Sequence, residues 1–200
     1  MTGQNTTFAD SPQHQSEPWL VIVDMQNIFG DPRSQWLTPR FSEIIEPIRA
    51  LITFTRPRLC FTRFLAPFKP QGAWIEYYKQ WPFALQPPES RDYQIIDAFA
   101  DEEGLRVDAP TFGKWTPKLE ATVPAGGRLL LAGVSTDCCV LSTALAAADA
   151  GMHVQVVADA CAGVDDIAHE RALDVLRLYQ PIVEIVRVAD ILENPGRIIG

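Results

Sequence analysis

The sequence predicts an α/β domain: a parallel sheet wrapped by helices in three αβα layers. Three observations carry this. Short apolar runs alternate with helix-patterned segments along most of the chain, the order that strand–helix–strand units produce. The first strand-like run, WLVIVD at 19–24, is continuously apolar rather than alternating, which suggests burial on both faces of a sheet. Finally, 200 residues with 47% hydrophobic content suit one domain with a sizeable core.

Residues 1–17, MTGQNTTFADSPQHQSE, are polar and lack the basic and apolar regions of a signal peptide. They read as a flexible leader ahead of a domain covering 18–200. The first strand is 19–24. Residues 40–55 read as a helix with Phe41, Ile44, Ile45, Ile48, Leu51 and Ile52 along one face, interrupted by Pro47. RLCFTRF (58–64), LRVDAP (105–110), RLLLAGV (128–134), HVQVVAD (153–159) and IVEIVRV (182–188) supply five more strands. Helices are expected at 116–122, at 138–150, which is rich in Ala and Leu, and at 165–178. The interval 65–104 is irregular, with five prolines among Trp74, Tyr77, Tyr78, Trp81 and Phe83. A stretch this long inside a domain is either a lid or pocket wall, or an aromatic satellite cluster or subunit contact.

A formal charge of −8, from 25 acidic against 17 basic residues, with no Lys/Arg cluster, argues against a nucleic-acid partner. No run reaches the roughly 18 apolar residues of a membrane span, and a cytoplasmic location is expected. Cys60, Cys138, Cys139 and Cys161 follow no disulfide or zinc spacing; Cys60 and Cys161 read as small buried hydrophobes.

In open parallel sheets, ligands collect beyond the carboxyl ends of the strands, so reactive groups there matter most. Asp24 closes the first strand, as a functional carboxylate or as a cap for the next segment. Lys114, in TFGKW, follows the third strand; taken alone, such a lysine is normally a solvated charge. Cys139 is the sharper signal. The fourth strand ends in AGV, and STDCCV leads directly into the Ala-rich helix. With Ser135, Thr136 or Asp137 as N-cap, Cys139 falls in the first turn, where the helix dipole and unpaired amides favour thiolate. The same amides suit a tetrahedral oxyanion.

VIVDMQNIF, FGKWTP and AGVSTDCCVLSTALAAADAGMHVQVVADACAG resemble the three signature regions of the isochorismatase-like cysteine hydrolases, in the family's order, over about 19–192. The resemblance implies a six-stranded sheet in order 3-2-1-4-5-6. It implies a catalytic set of Asp24, Lys114 and Cys139, and a cis peptide between Val134 and Ser135 at an oxyanion site shared with Cys139. It also implies a homo-oligomer. Nicotinamidases of this family hold a metal through one Asp and two His after the second strand; FTRFLAPFKPQG offers neither, so no metal or other cofactor is expected. Family members that cleave a vinyl ether lack the nucleophilic Cys, so its presence favours hydrolysis of a small amide or carbamoyl substrate. A vinyl ether hydrolase is the alternative, and a non-catalytic interaction module on the same fold is a further one. A dinucleotide-binding domain is excluded, because VDMQN stands where G-x-G-x-x-G belongs.

Phe29, Trp36, Arg63 and Trp74 are the expected substrate-binding residues, with Arg63 placed to fork onto a substrate carboxylate or to serve a surface salt bridge. Ile28 stands where many relatives carry Asp, which would change the polarity near the site. His169, in HERAL, reads as a structural or capping residue.

Overall fold

The computed structural model describes residues 17–193. The expected leader lies outside them except for Glu17, as does His14. Six parallel strands, β1 (Trp19–Val23), β2 (Leu59–Phe64), β3 (Leu105–Ala109), β4 (Arg128–Val134), β5 (His153–Ala162) and β6 (Val183–Val186), form one sheet in order β3-β2-β1-β4-β5-β6. β1 and β4 are the central pair, in register from Trp19↔Leu129 to Val23↔Gly133. Every residue of β4 is buried, as its uninterrupted apolar run requires.

The alternation of side chains along β1 divides the core. Leu20 and Ile22 face a cluster that takes Ile48, Leu51 and Ile52 from α2 (Ile45–Thr55) and Ile191 from α7 (Val188–Glu193). Val21 and Val23 face the other cluster, with Leu119 of α4 (Pro117–Glu120), Ala144 and Ala147 of α5 (Leu141–Asp149), and Leu173 and Leu176 of α6 (Asp166–Arg177). Pro47 does not break α2. It is the third residue of that helix, in the first turn, where the N–H it lacks has no intrahelical acceptor. Thr116 caps α4 and Asp165 caps α6 through their side-chain oxygens. Among the described residues, no helix is long and apolar enough to cross a membrane.

The interval 65–104 is better ordered than its composition suggests. It carries α3 (Trp74–Gln80) and three short 3₁₀ turns. Its rings close a third apolar cluster around Phe64, Tyr78 and Tyr93, while Tyr77 and Trp81 also face a cavity. Satellite cluster and pocket wall are therefore one structure. Gln26, in the three-residue gap between β1 and the short α1 (Asn27–Gly30), ties this segment to the sheet. Its buried amide donates to the carbonyls of Phe64 and Tyr93 at 3.0 and 2.7 Å and accepts from Phe64 N–H at 2.7 Å.

Candidate active site

The sheet order reverses between β1 and β4, and the crevice beyond their carboxyl ends is where such folds hold ligands. Asp24 leaves β1 there with φ of +50°. This left-handed conformation is uncommon outside glycine, with Asp among the residues that tolerate it. It turns the carboxylate back under the sheet edge, where Thr62 Oγ1 donates to Oδ1 at 2.7 Å and accepts the Asp24 N–H at 3.2 Å. Oδ2 lies 3.1 Å from Lys114 Nζ, with both side chains 0% exposed. The contact is an ion pair without hydrogen-bond alignment, so Oδ2 accepts no hydrogen bond from the protein. Lys114 Nζ instead donates to the Thr111 carbonyl at 2.5 Å and lies 5.3 Å from the Phe64 ring centre.

At β4, the Val134–Ser135 peptide is cis. The chain then makes a π turn (Thr136–Val140) before α5, with Ser135 at its N-cap. Cys139 is thus the fourth residue of a wide turn, not part of a regular first α-turn. Thr143 Oγ1 donates to the Cys139 carbonyl at 2.6 Å and accepts the Lys114 N–H at 2.9 Å, so one hydroxyl fixes the cysteine turn relative to the lysine loop.

The thiol environment also differs from the sequence expectation. Contact with the Cys138 sulfur, burial, and the nearby Asp24 carboxylate together push Cys139 well above the ordinary thiol range, against the pull of Lys114. The same sulfur contact draws Cys138 down. The Cys138 contact is the largest cause, and low dielectric and a neighbouring negative charge add to it. Cys139 rests as a thiol and needs a base at the moment of attack.

A cavity of about 410 Å³ opens onto this turn. Ser135, Asp137, Cys138 and Cys139 line its floor. Phe29, Trp36, Phe64, Tyr77, Trp81 and Phe112 form most of its walls, with Thr38 and Val164. Two of the expected substrate-binding residues, Phe29 and Trp36, thus line this cavity. Trp36 is the hub, with ring centroids 5.1 Å from Phe83, 5.6 Å from Phe64 and 6.0 Å from Phe29.

Arg63 and Trp74 do not line the cavity. Arg63 lies within β2, opposite Asp108 of β3, and the two form a forked pair at 2.7 and 2.8 Å. Trp74 is one layer out, packed on Tyr77 and Phe112 at 5.2 and 5.0 Å. Ile28 is buried in the third apolar cluster, away from the cavity lining. Sequence reading missed Thr62, Phe112 and Thr143; it held Tyr77 and Trp81 only within a candidate pocket wall and Asp137 only as a candidate cap. For Thr62 a signal existed: it is a hydroxyl in an apolar strand one position beyond the residue paired with Ile22.

The donor set for a family-type metal is absent. The chain after β2 runs Leu65, Ala66, Pro67, Phe68, Lys69, with no carboxylate or imidazole, and among the described residues no three His, Cys, Asp or Glu side chains converge. These residues do not fit a bound metal ion.

Residues 18–190 match the family model for the isochorismatase domain. The chain belongs to the isochorismatase family. Its curated relative in Xenopus laevis, isochorismatase domain-containing protein 2, is 36% identical over 70 residues, which is 34% of each chain; the match thus spans about a third of that relative. Among solved structures, the isochorismatase fold here is similar to a cysteine hydrolase from Pseudomonas syringae pv. phaseolicola 1448A (TM-score 0.79, 17% identity, 90% of this chain and 94% of that one). It is also similar to N-carbamoylsarcosine amidase from Thermoplasma acidophilum (TM-score 0.68, 21% identity, 86% and 97%). At these identities the likeness is one of fold.

His169 touches the site from behind. Its Nδ1 is 2.8 Å from Thr136 Oγ1 in the cysteine turn, and its other side faces a polar cleft of about 420 Å³ shared with Arg40, Asp166 and Arg187. Burial lowers its pKa, with Arg40 acting in the same direction and Glu170, Asp166 and Asp137 opposing. A depressed imidazole keeps its stabilising contribution at neutral pH. That contribution declines as pH falls below the unfolded value of about 6.5 and on through the lower folded value. Urea unfolding at pH 7.5 and pH 5 is therefore expected to show a smaller pH-dependent loss in His169→Gln than in wild type. Equal losses would remove His169 from the account.

Proposed function

We propose that the protein is a metal-independent cysteine hydrolase acting on the C–N bond of a small amide or carbamoyl substrate, with Cys139 as nucleophile, Asp24 as base and Lys114 as the counter-charge. The observation that carries this is the fully buried Asp24–Lys114 pair beside a cysteine at the floor of an apolar cavity. Two charges held out of water without a function would be a net cost. Family membership supports hydrolase chemistry, and the amidase and cysteine hydrolase among the structural relatives are consistent with it.

In this reading Asp24 Oδ2, which accepts no protein hydrogen bond, takes the Cys139 proton as sulfur attacks the carbonyl carbon. The tetrahedral oxyanion is received by backbone amides around Ser135 and Cys139. Its collapse breaks the C–N bond, and the Asp24 proton leaves with ammonia or amine. Water then gives a proton to Asp24 and its oxygen to the thioester, releasing the acid and restoring the thiol. Lys114 holds Asp24 in place and balances its charge between turnovers.

The test is ammonia release from a panel of primary amides, with acid-quenched mass spectrometry to find the acylated residue. Cys139→Ala is expected to lose at least about 10³-fold in kcat/KM and all acylation. Cys138→Ala should remain within about tenfold of wild type. Full turnover by Cys139→Ala, or an adduct confined to Cys138, would refute the assignment. An ether hydrolase would show thiol-independent turnover of a vinyl ether, and an interaction module would show neither reaction.

A further inference from the structure

We propose that the cavity beside Cys139 selects amides whose remaining group is flat, apolar and uncharged or cationic, and rejects those carrying a carboxylate. This rests on the amide-hydrolase reading and adds the class of substrate to it.

The walls include the aromatic rings of Phe29, Trp36, Tyr77, Trp81 and Phe112. Such surfaces hold flat apolar groups, and their faces attract cations. No Lys, Arg or His is among the described residues that line the cavity. Lys114, which does not line the cavity, is fully buried and engaged by Asp24 and the Thr111 carbonyl. Those two charges cancel, which leaves the cavity the charge of Asp137. One Asp137 oxygen accepts the Val164 N–H at 2.9 Å; the other has no protein hydrogen bond or ion pair among the described residues and remains available to a ligand cation. The arginine that could have received a carboxylate, Arg63, is committed to Asp108 at the β2–β3 edge. A substrate carboxylate would therefore lose water without gaining a counter-charge, close to a carboxylate already present. A volume of about 410 Å³ lies within the range of small-molecule sites, about 300–1,000 Å³.

The experiment uses three benzamides that differ only at the para position: methyl, trimethylammonium and carboxylate. Binding is measured by tryptophan fluorescence on Cys139→Ala, and kcat/KM for ammonia release on wild type. The methyl and trimethylammonium compounds are expected to exceed the carboxylate at least about tenfold in both readouts. Asp137→Asn should narrow the trimethylammonium-to-carboxylate ratio about fivefold, and Trp36→Leu should weaken the methyl and trimethylammonium compounds alone. Equal or better binding of the carboxylate, or no binding by any of the three, overturns the proposal. If the binding order holds and none is turned over, the selectivity stands and the hydrolase reading fails. Turnover that favours the carboxylate does the reverse.

Discussion

Lys114→Met is expected to abolish amide hydrolysis, by at least about 10³-fold in kcat/KM, and to cost about 3–5 kcal/mol of stability. Both effects come from one contact, the 3.1 Å pair with Asp24 in which neither side chain meets solvent. Removing the ammonium leaves a buried carboxylate with only the Thr62 hydroxyl and no counter-charge. Removing both charges is a different matter, because a buried pair replaced by neutral groups of similar size is often close to neutral in stability. The double variant Asp24→Asn/Lys114→Met is therefore expected to regain most of the stability and none of the activity. Urea unfolding and ammonia release on the same preparations check this. A Lys114→Met protein that unfolds like wild type would show that the pair contributes nothing to the fold.

Gly133→Ala is expected to cost more than about 4 kcal/mol and to remove most soluble protein. A Cβ at this position would lie 2.1 Å from the Val23 carbonyl oxygen and 2.8 Å from its nitrogen. Both atoms belong to the neighbouring central strand, so neither can swing aside as a side chain could. The backbone also sits at φ +113°, outside the ordinary range of L residues. Gly151→Ala is the control. There φ is +83° but nothing lies within 4 Å of the added carbon, so only the conformational cost of about 1–3 kcal/mol applies. Thermal unfolding of the two variants separates clash from backbone strain, and equal losses would show that the approach to Val23 is relieved by movement of the strands. The position matters for chemistry because Gly133 leads directly into Ser135 and the cysteine turn.

Most of the scaffold was legible because it depends on local pattern. Short apolar runs between helix-patterned segments marked all six strands, and β4 falls at 128–134 as read. Helix boundaries slipped by one or a few residues where caps intervene, as at Asp165 and Thr116. The conformation of the cysteine turn was not legible, because a π turn and an α turn of the same residues differ only in which carbonyl each N–H meets. The upward push on the Cys139 thiol was not legible either: it comes first from the Cys138 sulfur, whose approach the conformation of the turn fixes, and then from burial and the Asp24 charge, which arrive from other parts of the chain.

The same division explains the pocket residues. Phe29 and Trp36 belong to the segment that leaves β1 at the sheet's switch point, so their neighbourhood followed from chain order. Arg63 looked equally well placed, but strand direction decided otherwise. Its register with Asp108 points the guanidinium along the sheet edge. Tyr77, Trp81 and Phe112 converge from segments more than 30 residues apart, and Gln26 ties Phe64 and Tyr93 to the end of β1 through three buried hydrogen bonds. The sequence by itself therefore determined the sheet, its helical cover and which reactive side chains stand at its ligand-binding edge, because apolar period and strand ends are local and additive. Only the tertiary structure decided which of those side chains meet, which is protonated and what charge the cavity carries, because each depends on distances and burial between segments remote in sequence.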